Sequence, residues 1–214
     1  MTVQTYALTR MGYLTLLATI DVDIEDGLPE TVLRGLPNDS FHTTRDRVRA
    51  AIVNSDEQWP AAKITIGLST AKLVDRTSRF DLTIGIAILA AADAVPEIQL
   101  RSTLFLAELG LDGCLRPIEG IAELLAAATR NELPAIPEDN ALVLVVATPD
   151  APAVMEAISQ SRVPYVRVVG ARHLKDVIAW LRGEARLGLT SVEGQPVASS
   201  KAILPGTPPH PSRP

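Results

Sequence analysis

Apolar and acidic residues alternate strictly from Ile20 to Glu25, with Ile20, Val22 and Ile24 on one side and Asp21, Asp23 and Glu25 on the other. That period of two predicts a β-strand with one buried face, and the Thr-, Val-, Ile- and Leu-rich stretch over 13–24 extends it. Gly27-Leu28-Pro29 turns the chain into a short strand over 31–35. Three good N-cap residues, Asn38-Asp39-Ser40, follow Pro37 and predict a helix start. Its apolar positions Phe41, Val48, Ala51 and Ile52 recur at helical spacing, which turns Arg45, Arg47 and Arg49 outward. The period returns to two at 63–68, where Ile64, Ile66 and Leu68 share a face. Residues 81–92 are apolar nearly all round, and a helix without a wet face belongs at the centre of a domain.

The second half changes rhythm. Residues 103–109 read as a strand, Asp112-Gly113 as a tight hairpin turn, and 114–116 as its return. Ile121, Leu124, Leu125 and Ala128 mark a helical stripe, and 142–147 form a continuous apolar strand. A helix follows from about Ala151, with Asp150 as its cap and Pro152 in its first turn. Residues 165–169 predict another strand, and Leu174, Val177, Ile178 and Leu181 a final amphipathic helix ended by Gly183. Strand–helix–strand–helix order at this spacing implies a parallel crossover unit, so the fold class is α/β with a mixed sheet and flanking helices. From Glu184 onward the apolar period fades, and six prolines fall within 195–214. One folded domain over 1–183, followed by a flexible Pro-rich linker or tail over 184–214, is the expected organisation.

Composition narrows the classes. With 214 residues, 47% hydrophobic and 21% charged, the chain has the balance of an ordinary globular protein. Aromatics are only 4%, so the core must be built from Ala, Val, Ile and Leu. A net charge of −5 argues against a dedicated nucleic-acid binder. The single cysteine, Cys114, cannot form an internal disulfide and fits a reducing cytoplasm, next to a turn as an inert core residue. The apolar run from Leu82 to Ala92 is about half the length that crosses a bilayer, so no membrane partner is expected. Met11 to Ile20 could imitate a signal sequence, but no cleavage site follows and Asp21, Asp23, Glu25 and Asp26 come next; a strand is the better reading.

Several short motifs carry a family resemblance. They are the repeated Gly27-Leu28-Pro29 and Gly35-Leu36-Pro37, the run Arg45-Asp46-Arg47-Val48-Arg49-Ala50-Ala51-Ile52, Asn54-Ser55 and Trp59-Pro60. Lys63-Ile64-Thr65-Ile66, Arg79-Phe80-Asp81-Leu82, and Glu108-Leu109-Gly110-Leu111-Asp112-Gly113 with Leu115-Arg116-Pro117 complete the set. Together they resemble the N-terminal domain of the magnesium-chelatase-like AAA+ ATPases, the ComM/YifB group, over roughly residues 5–183. The resemblance implies a Lon-protease-like (ribosomal protein S5 domain 2-like) fold. It also implies a partner AAA+ motor domain or protein, a homo-oligomeric ring, and contact with DNA through the assembly. Relatives carry the motor after this domain; here the expectation is a chain without it, whether a natural short protein, half of a split machine or a fragment.

Three kinds of chemistry bear on the candidate residues. Lon proteases use a serine nucleophile and a lysine base with lowered pKa. Aligned on the start of the buried helix, the serine's place is taken by Arg79, or by Ser78 after a slip of one residue; the lysine's place is taken by Ala122. No lysine occurs between Lys72 and Lys175, so the dyad is expected to be absent, with no catalytic residue. Ser78 and Asp81 instead read as a capping box. A peptidase with a displaced base, Lys63 or Lys72, is the alternative. ATP hydrolysis needs a Gly-x-x-x-x-Gly-Lys-Ser/Thr loop, and no Gly-Lys dipeptide occurs anywhere in the 214 residues, so no nucleotide cofactor is expected. His42, His173 and His210 are far apart and show no metal-binding spacing. Asp21, Asp23 and Asp26 read as a solvated strand edge, and Glu108 as paired with Arg116 across the hairpin. Arg45, Arg47, Arg49, Arg76 and Arg79 form a candidate interaction surface, solvated with Arg49 near Asp46, or phosphate-facing if the protein is a small DNA-binding accessory.

Overall fold

The computed structural model describes residues 2–11, 14–35, 38–69, 77–127, 141–160, 166–187 and 189–191. Its main element is an eight-stranded mixed sheet, in the spatial order β10-β9-β8-β5-β1-β2-β4-β3. Strands β1 (Thr2–Met11) and β2 (Leu14–Glu25) form an antiparallel hairpin, and β2 pairs antiparallel with β4 (Lys63–Leu68). The sequence showed β1 only as part of a strand-and-turn region, because its inward face mixes Val3 and Ala7 with Thr5 and Thr9.

Strand β3 (Glu30–Arg34) does not fold back on β2 after the Gly27 turn. It lies at the far edge, parallel to β4, with α1 (Asn38–Val53) as the crossover between them. The buried helix is α2 (Asp81–Ala91), preceded by a 3-10 turn, Thr77–Phe80. Every residue from Asp81 to Ala90 is buried, and each large aliphatic among them contributes about 1.5–3 kcal/mol by leaving water.

The chain then returns to the centre of the sheet as β5 (Thr103–Leu106), parallel to β1. The strand expected over 103–109 is broken at Ala107. Its end, β6 (Glu108–Leu109), leaves the main sheet and pairs with β7 (Leu115–Arg116), with Glu108 and Arg116 as register partners. After α3 (Ile121–Ala126), strands β8 (Leu142–Ala147) and β9 (Val166–Ala171) run parallel to β5, with α4 (Ala151–Gln160) as the crossover between them. Helix α5 (Leu174–Leu181) ends at Gly183, and β10 (Leu189–Ser191) pairs antiparallel with β9, so sheet pairing continues beyond residue 183. Asp150 does not simply cap α4. It closes a 3-10 turn, and its carboxylate accepts from the Ile118 amide at 2.9 Å, fastening the loop after β7.

One sheet face is covered by α1, α2 and α5, through Val48, Ile52, Ile84, Ile88, Val177 and Leu181. Among the described residues the other face is covered only in part. Helices α3 and α4 place Ile121, Leu124, Val154 and Ile158 over β1, β5, β8 and β9. Beyond them, β2, β4 and β3 turn a polar face outward, carrying Asp21, Asp23, Glu25, Lys63 and Glu30. Gln4 and Thr2 donate to Asp21 and Asp23 there, and Lys63 Nζ lies 2.9 Å from Glu25. Among the described residues no helix is long and apolar enough to cross a membrane.

Candidate functional site

One hydrogen bond joins the turn before α2 to the turn before α3, the two places to which the resemblance assigns a serine and a lysine. Arg79, in the 3-10 turn before α2, donates from Nη2 to the Glu119 carbonyl oxygen at 2.9 Å, three residues before Ala122 on α3. Its Nε is buried without a hydrogen-bond partner. The guanidinium thus reaches the turn that leads into α3, the helix that carries Ala122. Ser78 lies in the same turn as Arg79, and its side chain is outside the described part. Lys72 and Arg76 also lie outside the described residues. Lys63, the other proposed base, sits on the open sheet face beside Glu25, which raises its pKa. A lysine base needs the opposite shift.

Asp81 is not the acidic half of a capping box. Phe80 is the N-cap of α2 and makes no side-chain cap bond; Asp81 is the first helical residue. Its carboxyl is fully buried and ion-paired with Arg47 of α1. Burial pushes its pKa up to about 8, while Arg47 pulls the other way. Arg47 is thus a correction to the outward reading of α1: its side chain is only 25% exposed and turns to the α1–α2 seam. The sequence held a usable signal. Arg47 falls three residues after Thr44 and four before Ala51, inside the stripe that also buries Val48 and Ile52. An acid heading a helix with no wet face needs a cation, and Arg47 is that cation.

The five arginines therefore do not make one surface. Arg47 and Arg79 are tied into the interior, and Arg76 lies outside the described residues. Arg45 and Arg49 remain together. With His42, Trp59, Pro60 and Glu30, they line an open groove of about 700 Å³ between α1 and the beginning of β3. Asp46 pairs with Arg45 at 2.7 Å rather than with Arg49. Arg49 is exposed, and Trp59 is half-buried against the core.

Most of the polar motif residues turn out to be joints. The hairpin tip between β6 and β7 is held from two sides. Asn54 Nδ2 donates to the Leu111 carbonyl at 2.8 Å, and His173 Nε2 lies 2.8 Å from the Asp112 carbonyl. His173 also heads α5: its Nδ1 accepts from the Lys175 amide while Asp176 returns a bond to the His173 amide. With Nδ1 accepting, Nε2 carries the proton and donates to Asp112. Gly113 has φ +83°, and a Cβ there would lie 2.5 Å from the His173 ring, so no other residue fits. Glu57 and Arg182 form a two-pronged ion pair at 2.8 and 2.9 Å, and Lys175 pairs with Asp56. Cys114 is only partly buried; burial first, and then Asp112, pushes its thiol up, so it stays protonated near neutral pH. Among the described residues no group of three metal-ligating side chains gathers, and His210 lies outside them.

Comparison with known proteins places these features. Residues 20–140 match the family model for the subunit ChlI of Mg-chelatase. The competence protein ComM of Haemophilus influenzae is 33% identical over 186 residues, which is 87% of this chain and 34% of that protein. The uncharacterized protein Rv2897c of Mycobacterium tuberculosis is 36% identical over 188 residues, 86% of this chain and 34% of its own length. The uncharacterized protein YifB of Escherichia coli is 40% identical over 113 residues, 53% of this chain and 22% of that protein. The chain thus spans about a third of the length of the first two.

Proposed function

This chain belongs to the family of the Mg-chelatase subunit ChlI, and we propose that its folded part is a non-catalytic, N-terminal-type unit with a Lon-protease-like fold. It acts in the assembly or regulation of an AAA+ motor that remodels DNA or protein. The observation that supports this reading is the Arg79–Glu119 contact: the resemblance puts the serine's place at Arg79, whose guanidinium is pinned to the turn before α3, and the lysine's place at Ala122. Proton removal from a hydroxyl needs a base, and neither a guanidinium nor a methyl group serves as one. The match to about a third of longer relatives supports a role beside further machinery.

Size-exclusion chromatography with light scattering, on the chain alone and mixed with a P-loop motor protein from the source genome, tests the reading. Self-assembly or co-elution with the motor is the expected result. A strict monomer that ignores the motor contradicts it.

A further inference from the structure

Strand β3 ends the sheet, and its register defines what its outer edge offers. The Glu30 amide donates to the Ala62 carbonyl at 3.3 Å, and Glu30, Val32 and Arg34 are the register partners of Lys63, Thr65 and Gly67. In a parallel ladder alternate residues turn both backbone groups to the neighbouring strand. Glu30, Val32 and Arg34 face β4, so the N–H and C=O groups of Thr31 and Leu33 point away from the sheet. Among the described residues no strand pairs with that edge. The edge is not blunted at its middle: Thr31, Val32 and Leu33 are all half-exposed, and the charges of β3 lie at its two ends.

The groove lies beside the start of this edge. Thr31 and Leu33 share the sheet face of Ile64 and Ile66, which is the face covered by α1. A strand added to β3 would send every second side chain to that same face. There it meets the groove wall formed by His42, Arg45 and Arg49 on one side and by Trp59 and Pro60 on the other.

We propose that the edge of β3 and this groove dock an extended acidic peptide segment, which adds to the sheet as a strand and places carboxylates against Arg49 and Arg45. The backbone edge supplies affinity without sequence demands, and the alternate arginine contacts supply the preference for acidic residues. A nucleic-acid strand fits the site less well. It carries no row of amides and carbonyls to pair with the outward backbone groups of Thr31 and Leu33. Trp59 packs its ring against the core rather than standing free to stack on a base. This proposal stands apart from the loss of the dyad, since it uses none of the residues around Arg79.

Fluorescence anisotropy with the full chain tests it. The probe is a fluorescein-labelled peptide of about ten residues alternating Glu and Val, long enough to run the length of β3. Its controls are the Lys–Val counterpart, two versions N-methylated at alternate residues in opposite registers, and a labelled oligo-dT. The Glu–Val peptide is expected to bind saturably, and the Lys–Val peptide at least tenfold more weakly. One N-methylated register should lose at least tenfold and the other keep its affinity, because only one row of amides faces β3. Arg45→Ala/Arg49→Ala should weaken the Glu–Val peptide at least tenfold with an unchanged melting temperature. Equal binding of all the peptides, no loss in either methylated register, or binding of oligo-dT alone overturns the proposal. So does failure of every probe, including the case where the chain dimerises through this edge and the double variant returns it to a monomer.

Discussion

Helix α1 sends charged side chains in two directions, and their fates differ. At the α1–α2 seam, Arg47 meets a fully buried Asp81 and is locked in place. Two residues to either side, Arg45 and Arg49 line an open groove, and Arg49 is exposed. The three arginines look alike in sequence, yet one is part of the interior and two line a groove, Arg45 in an ion pair with Asp46. Counting basic residues along a helix therefore says little about function until the stripe that packs has been located. The hairpin between β6 and β7 belongs with the locked region: its polar residues are joints, not a site.

The largest effect separating the two regions should come from Arg47→Ala. It leaves the buried Asp81 carboxylate uncompensated and should cost about 3–5 kcal/mol in urea unfolding at pH 9. The cost should shrink at pH 5, where Asp81 takes up a proton. An equal loss at both pH values would mean that packing, not charge, holds the seam. Asp81→Asn sharpens the same point. Folding holds the Asp81 proton up to about pH 8, whereas the unfolded chain releases it near 3.8. Stability should therefore fall as pH rises through that window and level off above it. The Asn variant removes that slope, so its melting temperature should gain on the native chain with rising pH; parallel profiles would refute the assignment.

Gly113→Ala probes the joint at the hairpin tip. Its positive φ and the approach of the His173 ring should together cost about 1–3 kcal/mol in a thermal melt. Arg45→Ala/Arg49→Ala should sit at the other end of the scale, within about 0.5 kcal/mol of the native chain, since Arg49 is exposed and the partly exposed Arg45–Asp46 pair contributes little. A double variant that unfolds as readily as Arg47→Ala would erase the distinction between groove and seam.

Local periodicity made much of the fold legible. The expected elements at 63–68, 81–92 and 142–147 match β4, α2 and β8 within a residue, because each is a run whose apolar pattern alone decides its state. What stayed hidden was non-local. The placement of β3 outside β4 depends on a parallel pairing that no turn residue announces. The break between β5 and β6 depends on Glu108 leaving the main sheet to meet Arg116 as its register partner. At the candidate site, the bridge from Arg79 to Glu119 was not readable, since it joins segments 40 residues apart. The inward turn of Arg47 was readable in principle and missed. The His173 joint had no local signal, because its ring is fixed by a carbonyl 61 residues away.

The central claim is that this unit works by contact and performs no hydrolysis of its own. Turnover of a fluorogenic peptide or casein by the purified chain, measured beside Ser78→Ala, tests it most directly. The account predicts that both proteins give only the buffer rate. Turnover by the native chain that disappears in Ser78→Ala would contradict it.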